Sequence, residues 1–463
     1  MTVRPVTQAT PAGSRRSKLA AMDLVRSSRW SSRWALLAAG VVACTASESE
    51  VRPDPDRIFY PTAVTVAPDD SVAFVVSANS DLTYDSGTVQ VVDLAVVEQV
   101  VAAWKSNRTV PAGCSVPTDA TETLACPEAD FLIDGAGVRI GNFASAVTTQ
   151  DLGGGKLRLL VPVRGDPSIT WMDWDPATRA LACSTGQGFP LCDDEHRLVE
   201  LTGFDDPPGL PSEPYGIFAD AVGQFAVVSH FASGAVSLID SPATGVPTLV
   251  DALSVGTRVG MSGIAGRAPG ADDLLYAQSV ADDRVFLLTV GRQAGRPPFL
   301  INGGFFFQNG IGSGSNTGGI GADSRGIVFR DGGDRAFLVN RSPPALQEYD
   351  TSIGPTGVPV NRVTATTDIC RDATSVAAVA TGAGERAYVT CYADGEVYVV
   401  DPRAGGSVEA TALTGRGPIA SAAVPSRLLL LVANFLDDSL AIVDLDPTSP
   451  FANRVVLRLG GKS

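Results

Sequence analysis

A unit that builds small β-sheets recurs seven times along this chain, and no other feature limits the possible folds as strongly. In each copy an apolar stretch leads through a Gly/Asp turn into a β-rich run, and a second turn leads into an alternating strand. The copies occupy residues 61–94, 144–176, 214–240, 261–290, 324–350, 373–401 and 418–444. Six of the seven final strands are predicted to end at aspartate: Asp93, Asp173, Asp240, Asp350, Asp401 and Asp444.

The residue types of the unit explain why it forms strands. Val, Ile, Phe and Tyr that alternate with small or polar residues suit a pleated strand, and glycines before the third strand allow a tight reversal. The segments Val96 to Trp104 and Arg454 to Leu459 leave room for a fourth strand. One four-stranded sheet cannot bury both faces alone, but seven arranged radially can. The repeat therefore predicts an all-β, seven-bladed β-propeller; a β-sandwich or two all-β domains are the alternatives.

Several copies resemble the YVTN-type repeat of β-propeller proteins, in which an sPdG turn is followed by YVxN and tVsViD. The matching stretches are Ala67–Asp70, Val75–Asn79 and Gly87–Asp93 in copy one, Ala387–Cys391 and Gly395–Asp401 in copy six, and Leu431–Asn434 in copy seven. The resemblance covers about residues 58–460 and implies a single seven-bladed propeller over that range. It implies no particular activity, because propellers carry many functions.

The N-terminal 43 residues have the pattern of an export signal. Arg26, Arg29 and Arg33 precede an apolar run from Trp34 to Ala43, which is too short to span a bilayer as a helix. The end of this run and Cys44 read Val-Val-Ala-Cys, which resembles a bacterial lipobox. In lipobox proteins a diacylglyceryl group is attached to the cysteine sulfur, and cleavage occurs just before that cysteine.

The lipobox resemblance implies a signal peptide over residues 1–43, with Met22 as an alternative start, a lipidated Cys44, and a linker over residues 44–57. An ordinary secretory signal with an incidental cysteine is the alternative. Acyl chains anchor a protein to a membrane without a spanning helix, so the predicted location is the bacterial cell envelope, facing the periplasm or the exterior. Thr45, and not an aspartate, follows the lipidated cysteine, and this favours sorting to the outer membrane.

The chain is acidic, with 35 Lys and Arg against 50 Asp and Glu and a formal net charge of −15. Removal of residues 1–43, which carry seven of the bases and one of the acids, makes the net charge −21. Such a surface repels polyphosphates, so nucleic acid is not expected as a partner. It also argues against binding to anionic lipid, so the predicted contact with a membrane is through the lipid anchor only.

The cysteines predict disulfides. Seven are present, and the six beyond Cys44 form an even number in a chain that is predicted to be exported. Of the 15 pairings that six cysteines allow, proximity favours three: Cys114–Cys126, Cys183–Cys192 and Cys370–Cys391. Zinc is the rival interpretation, but no C-x-x-C motif occurs and the chain has two histidines. The absence of C-x-x-C-H excludes covalent c-type haem.

The sequence contains few groups suited to catalysis, and it assigns no catalytic residue, metal ligand or cofactor. His230 follows the second strand of copy three, where other copies have Asn79, Asn340 or Asn434, and a hydrogen-bonded structural role is expected. His196 lies in a charged loop and is expected to face solvent. Acidic clusters are expected to be solvated turn residues, with calcium in the central tunnel as the alternative. They occupy residues 69–70, 193–195, 272–273, 282–283 and 437–438.

Three long segments between copies are predicted to be loops that project from the blades. They span residues 105–131, 180–213 and 302–323, and binding specificity tends to lie in such loops. The third contains Phe305–Phe307, which fits either a buried strand or an exposed tip for a partner. Its Gly/Ser-rich run lacks the lysine of a phosphate-binding loop. Trp171 and Trp174 are expected to pack in the core.

Two functional classes fit these features. The first is a lipid-anchored binding or interaction scaffold that takes a protein or small-molecule ligand at its loops. The second is an enzyme, either a lactonase-like hydrolase or a relative of quinone-dependent dehydrogenases, that uses the mouth of the central tunnel. Acids, Arg and His at that mouth favour the enzyme, whereas a plain ring of Gly, Ala and Ser favours the scaffold. The scarcity of histidine and the lack of cofactor motifs favour the scaffold.

Overall fold

The computed structural model describes residues 51–461 except 187, 204, 257–259, 282, 309–322 and 404–405. The predicted signal peptide, the alternative start at Met22 and the lipidation site Cys44 lie outside the described residues. The described strands form seven separate sheets in chain order. The inner strand of the last sheet contacts that of the first, which closes a ring. The chain is therefore an all-β, seven-bladed β-propeller, and the prediction of this fold is confirmed.

The blades follow the repeat units. Blades 1 and 2 contain β1 (Pro61–Val66), β2 (Val72–Ser77), β3 (Gly87–Asp93) and β5 (Val138–Ile140), then β6 (Thr148–Gly153), β7 (Lys156–Val163) and β8 (Ser168–Asp175), with β9 (Ala180–Ala182) and β10 (Arg197–Leu198) at the edge. Blades 3 and 4 contain β11 (Pro214–Asp220), β12 (Phe225–His230), β13 (Ala235–Asp240) and β14 (Thr248–Ser254), then β15 (Met261–Gly266), β16 (Leu274–Ser279), β17 (Arg284–Gly291) and β18 (Phe299–Phe307).

The remaining blades are equally regular. Blades 5 and 6 contain β19 (Ser324–Arg330), β20 (Arg335–Arg341), β21 (Pro344–Asp350) and β22 (Arg362–Asp368), then β23 (Ala373–Thr381), β24 (Gly384–Cys391), β25 (Glu396–Asp401) and β26 (Ser407–Leu413). Blade 7 contains β27 (Pro418–Val424), β28 (Leu429–Asn434), β29 (Ser439–Asp444), β30 (Arg454–Gly460) and β4 (Leu124–Cys126). Short 3₁₀ helices span Glu128–Asp130, Asp194–His196, Asp331–Gly333 and Pro425–Arg427.

Each blade is buried between two neighbours, which explains why its middle strands are apolar on both faces. All six residues of β2 and all six of β12 are buried. Aromatic rings pack edge to face across blade boundaries, as in Phe74 with Trp174 (centroids 5.6 Å apart) and Tyr276 with Phe329 (4.9 Å). Trp171 is also buried. Both tryptophans therefore pack in the core, as predicted.

The segment after β3 is a helix, so the prediction of a fourth strand over Val96 to Trp104 is wrong. Helix α1 spans Leu94–Asn107, and its buried residues recur at helical spacing. The Asp93 carboxylate caps the helix by accepting hydrogen bonds from the N–H groups of Ala95 and Val96, an arrangement that contributes about 1 kcal/mol. The fourth strand of blade 1 is β5, which follows a long insertion.

The insertion between α1 and β5 closes the ring. Its strand β4 pairs in parallel with β30, opposite Leu457–Leu459, and the Thr123 hydroxyl donates to the Val455 carbonyl over 2.8 Å. The predicted strand over Arg454 to Leu459 is confirmed as part of β30. Blade 7 therefore has four strands from the last repeat and a fifth from the insertion of blade 1.

The aspartates that end the third strands are mostly placed as predicted. Asp350, Asp401 and Asp444 each end a strand and accept a hydrogen bond from the N–H group two residues later. Asp173 is the exception, because β8 continues to Asp175. The Asp173 side chain instead forms an ion pair within the blade, with a guanidinium at 2.9 Å.

The long segments fold onto the blade edges where the structure describes them, so the prediction that they simply project is wrong. The first supplies β4, and the second supplies β9 and β10, which pair with β8. In the third, β18 extends to Phe307, and residues 309–322 lie outside the described part. Residues 51–57, predicted to be linker, contact blade 1, since Asp85 N–H donates to the Val51 carbonyl over 3.0 Å.

Three disulfides join the cysteine pairs that proximity favours. They are Cys114–Cys126, Cys183–Cys192 and Cys370–Cys391. The first two lie within the insertions, where Cys126, Cys183 and Cys192 are buried in apolar clusters, and the third joins the segment before β23 to β24. Within the described range, no helix has both the length and the apolar character needed to cross a bilayer.

Candidate functional site

One end of the central channel is framed by seven equivalent backbone hydrogen bonds. In each blade the residue at the end of the second strand, or directly after it, donates its N–H to the carbonyl of the residue that opens the blade. The pairs are Ala78–Tyr60, Arg164–Phe143, Phe231–Glu213, Val280–Gly260, Arg341–Asp323, Tyr392–Asp372 and Phe435–Gly417. These pairs define what we term the entrance. Six of the acceptors have positive φ, which turns the chain sharply into the channel.

A register irregularity follows at the start of the inner strands. In blades 1, 5, 6 and 7 the second residue of the inner strand has no partner in its pairing with the second strand. In blades 3 and 4 neither the second nor the third residue has one. The second residues are Thr62, Tyr215, Ser262, Arg325, Thr374 and Ile419, and Ser145 is the corresponding residue of blade 2. Bulges of this kind redirect side chains and are common beside functional sites.

Four of these seven residues link neighbouring blades through their hydroxyl groups. The hydroxyls donate to inner-strand carbonyls of the next blade over 2.6–3.1 Å: Thr62 to Ala144, Ser145 to Tyr215, Ser262 to Ser324 and Thr374 to Pro418. The other three residues are Tyr215, Arg325 and Ile419, which have no short hydroxyl side chain to make this link. Their side chains are therefore available for another role.

The entrance opens into a cavity of about 490 Å³. One ring of its wall consists of small residues, one from each blade: Ala63, Ala146, Gly216, Gly263, Gly326, Ser375 and Ala420. A second ring consists of the Val or Ile residues that follow them in blades 1 to 6: Val64, Val147, Ile217, Ile264, Ile327 and Val376. Tyr215, Tyr392, Arg325 and Arg341 also line it, and these two arginines are its charged residues in the described part of the chain. The wall thus combines the plain ring expected of a scaffold with a charged and aromatic patch.

The two arginines of the cavity belong to blade 5. Arg325 Nε lies 2.6 Å from Asp323 Oδ1, and Arg341 Nε lies 3.7 Å from Asp372 Oδ1. Burial, and then the positive charge of Arg325, lower the pKa of Arg341 from its ordinary value. The two guanidinium groups are therefore close enough to repel each other.

The acids of the entrance lie outside the cavity wall and are each close to an arginine. Besides Asp323 and Asp372, Glu213 lies 3.3 Å from Arg164, and Arg164 also stacks over Tyr215 at 5.5 Å. Each of these three carboxylates therefore has an arginine as an ion-pair partner at the entrance.

His230 has the structural role that was predicted for it. It is fully buried, and its Nε2 lies 2.8 Å from the Ser237 hydroxyl. Burial lowers its pKa to about 4, an effect that backbone groups of Pro211 and Ser212 partly offset. At neutral pH the imidazole is therefore uncharged.

The predicted equivalence of His230 with three asparagines is only partly correct. His230, Asn340 and Asn434 each pair with the first residue of the adjacent inner strand. In blade 1 that partner is Ser77, so Asn79 lies two residues further along. The longer turn after β2 explains the displacement.

His196 does not simply face solvent, so that prediction is wrong. Its ring packs on Trp171 with centroids 4.2 Å apart, and its Nδ1 lies 2.6 Å from Asp193 Oδ1. This hydrogen bond is the main reason that the pKa of Asp193 is lowered. The pair lies at the edge of blade 2, apart from the residues that line the cavity.

Two of the acids expected in solvated turns are buried and join blades 1 and 7. Asp70 accepts a hydrogen bond from Ser426 N–H over 2.9 Å, and Asp438 accepts one from Tyr60 N–H over 2.8 Å. For these residues the prediction is wrong, because ring closure requires acceptors at this boundary. No group of three or more metal-binding side chains occurs among the described residues.

The three consecutive phenylalanines end the outer strand of blade 4. Phe306 packs against Tyr276 and Tyr349, whereas Phe305 and Phe307 are 46 % and 52 % exposed. The buried-strand and exposed-tip interpretations therefore each apply to part of the segment. These rings are not among the residues that line the cavity.

The fold and the entrance define a seven-bladed β-propeller with a cavity of mixed polar and apolar lining at one end of its channel. The sequence matches no protein-family model, and no curated protein matches it. Among the residues that matter here, sequence reasoning missed Tyr215, Arg325 and Arg341. A comparison of the seven inner-strand starts could have found the first two, since four copies have Ser or Thr at that position.

Solved structures share the fold. A Bacteroides fragilis protein provisionally assigned as a 6-phosphogluconolactonase is 12 % identical, with 84 % of this chain and 98 % of that chain covered and a TM-score of 0.54. A chain of Kuenenia stuttgartiensis hydrazine synthase is 13 % identical, with 86 % and 98 % covered and a TM-score of 0.52. The periplasmic gluconolactonase of Pseudomonas aeruginosa is 16 % identical, with 87 % and 86 % covered and a TM-score of 0.42. At these identities the likeness concerns the fold alone.

Proposed function

We propose that this protein is an exported binding module that takes a small-molecule ligand at the entrance of its channel. The observation that carries the proposal is the cavity of about 490 Å³, where two arginines and two tyrosines interrupt a wall of mainly small residues and Val or Ile. Cavities of this size with a few placed polar groups suit small molecules. The described lining residues of the cavity include no Asp, Glu or His, the usual general bases, which favours binding over hydrolysis.

The proposal includes membership of the YVTN-repeat propellers and a lipid anchor in the cell envelope, with the outer membrane favoured. Ala67–Asp70 form the turn between β1 and β2, and Gly87–Asp93 form β3, which supports the repeat. The order of arginines, apolar run and Val-Val-Ala-Cys supports the anchor. We expect mass spectrometry of the mature N-terminal peptide to find diacylglyceryl on Cys44. An unmodified Cys44, or a first residue elsewhere, contradicts the anchor.

Replacement of Ala420 with phenylalanine is expected to abolish ligand binding. Ala420 belongs to the small-residue ring, so a phenyl group fills part of the cavity, while the backbone pairing of Ala420 with Ala433 is kept. Both proteins are incubated with an envelope extract and repurified, and the small molecules released by denaturation are compared by mass spectrometry. Ala232→Phe, at an exposed residue beside Phe231, is the matched control.

We expect the wild type and Ala232→Phe to carry a molecule that Ala420→Phe lacks. The same molecules in all three proteins, or none in any, contradict the proposal. A lactonase-like hydrolase is the second candidate, which the arginine pair favours because arginine can hold the charged group of a substrate. Acid release from gluconolactone or 6-phosphogluconolactone by the wild type, but not by Ala420→Phe, supports that candidate instead.

A further inference from the structure

The charges around the entrance are unevenly distributed. Arg325 and Arg341 line the cavity, whereas Asp323, Asp372 and Glu213 are not among its described lining residues. The charged residues of the described lining are therefore both positive, and their acidic partners Asp323 and Asp372 lie beside them outside that lining. This separation occurs in a chain whose formal net charge is −15, so the positive wall is a local feature and not a reflection of overall composition.

We infer that the cavity binds the anionic group, a carboxylate or a phosphate, of a small polar molecule, and that Arg325 and Arg341 receive this group. The inference rests on the proposed binding function and adds the chemical class of the ligand. Guanidinium groups form paired, charge-assisted hydrogen bonds to such anions. The two tyrosines of the wall supply ring faces against which the rest of the molecule packs.

The contacts of Arg325 leave room for an anion. Its Nη2 donates to Asp323 Oδ2 over 3.0 Å, so this carboxylate holds one edge of the guanidinium. Its Nε lies 2.6 Å from Asp323 Oδ1, so the carboxylate covers the edge formed by Nε and Nη2. Asp323 thus fixes the direction of Arg325, and the other edge of the guanidinium is the one that can receive a ligand.

Arg341 is held still more loosely. Its Nε donates to the Ala373 carbonyl over 3.4 Å and lies 3.7 Å from Asp372, which is half exposed. Both contacts involve Nε, and its terminal amino groups donate no hydrogen bond to the described residues. An anion between Arg325 and Arg341 also relieves the repulsion between these two cations.

The wall fixes the remaining geometry. Tyr215 is packed against Phe231, with ring centroids 5.4 Å apart, and under the Arg164 guanidinium, so its position does not depend on a ligand. Ser145 and Thr374 already donate their hydroxyls to carbonyls. The groups left to select the ligand are therefore mainly the two arginines and the two tyrosines.

Isothermal titration calorimetry with three probes tests this inference: inorganic phosphate, gluconate and 6-phosphogluconate, each in low-salt buffer up to about 10 mM. The variants are Arg325→Gln and Arg341→Gln. Arg416→Gln is the matched control, because Arg416 is an exposed arginine beside Gly417 that pairs with Asp437 away from the cavity wall. We expect at least one probe to bind, and each cavity variant to raise its Kd about tenfold or more. Arg416→Gln is expected to change Kd less than about twofold.

The probes distinguish the two anions. Binding of phosphate but not gluconate indicates a phosphate site, and binding of gluconate but not phosphate indicates a carboxylate site. The inference is overturned when no probe binds the wild type, or when the cavity variants bind as tightly as Arg416→Gln. Should a glutamine variant fail to fold, Arg325→Lys and Arg341→Lys keep the charge and are expected to retain weaker binding. A neutral ligand recovered in the Ala420→Phe comparison also refutes this inference while it supports the proposed function.

Discussion

Replacement of Arg158 with alanine is expected to lower the free energy of unfolding by about 3 kcal/mol. Arg158 lies on β7 with 2 % of its surface exposed. It forms two hydrogen bonds with the Asp173 carboxylate at 2.9 and 3.2 Å, and it donates to the Pro242 and Gly245 carbonyls of blade 3 at 3.0 and 2.9 Å. Alanine leaves these acceptors unpaired at the boundary between blades 2 and 3.

Chemical denaturation monitored by tryptophan fluorescence measures this effect. Lys156→Ala is the matched control, because Lys156 begins the same strand and pairs with Asp175 at 2.9 Å, but with a side chain that is 58 % exposed. An exposed pair contributes less than about 1 kcal/mol. Equal losses for the two variants show that the buried pair has no special role in joining the blades.

Acidification from pH 7 to pH 5 is expected to remove about 2 kcal/mol of stability through His230 alone. Burial lowers the pKa of this histidine to about 4 in the folded protein, against about 6.5 in an unfolded chain. Between these two values the unfolded state binds more protons than the folded state. Stability therefore falls as the pH drops through this window and recovers as it rises.

His230→Asn isolates this contribution, because blades 5 and 7 have Asn340 and Asn434 at the equivalent position. Asparagine does not titrate, so the variant should lose less stability over the same pH range, whatever its stability at pH 7. The measurement is the midpoint of urea unfolding at half-unit intervals from pH 7 to pH 4. Parallel curves for the two proteins assign the acid sensitivity to carboxylates and not to His230.

The fold was predictable because strand alternation is a local property of the chain. The repeat units coincide with the blades, and the strand over Arg454 to Leu459 is correct. The helix at Leu94–Asn107 was not found, because its valines favour strands locally. The helix is stabilised instead by the cap at Asp93 and by the burial of Val97, Val101 and Trp104, which lie on one face at helical spacing. The pairing of β4 with β30 joins residues far apart in sequence, and no local pattern records it.

The cavity was less predictable, because its residues become neighbours only when the ring closes. Arg325 and Arg341 lie in ordinary-looking strand ends, and nothing in their surroundings along the chain marks them. The informative comparison is among the seven blades. At the second inner position, hydroxyl residues join blades, and Tyr215, Arg325 and Ile419 depart from that rule. These exceptions can be recognised only when the seven inner strands are aligned in register, and the bulges hide that register in the sequence.

The pairing of β4 with β30 has a consequence for biogenesis. A chain that is synthesised from its N-terminus presents residues 124–126 long before residues 457–459 are made. Until then, both the β4 segment and the exposed side of blade 1 lack their partners, and unpaired strand edges of this kind invite aggregation. Completion of the ring therefore waits for the C-terminal strand, and blade 7 cannot become a five-stranded sheet before that strand is made.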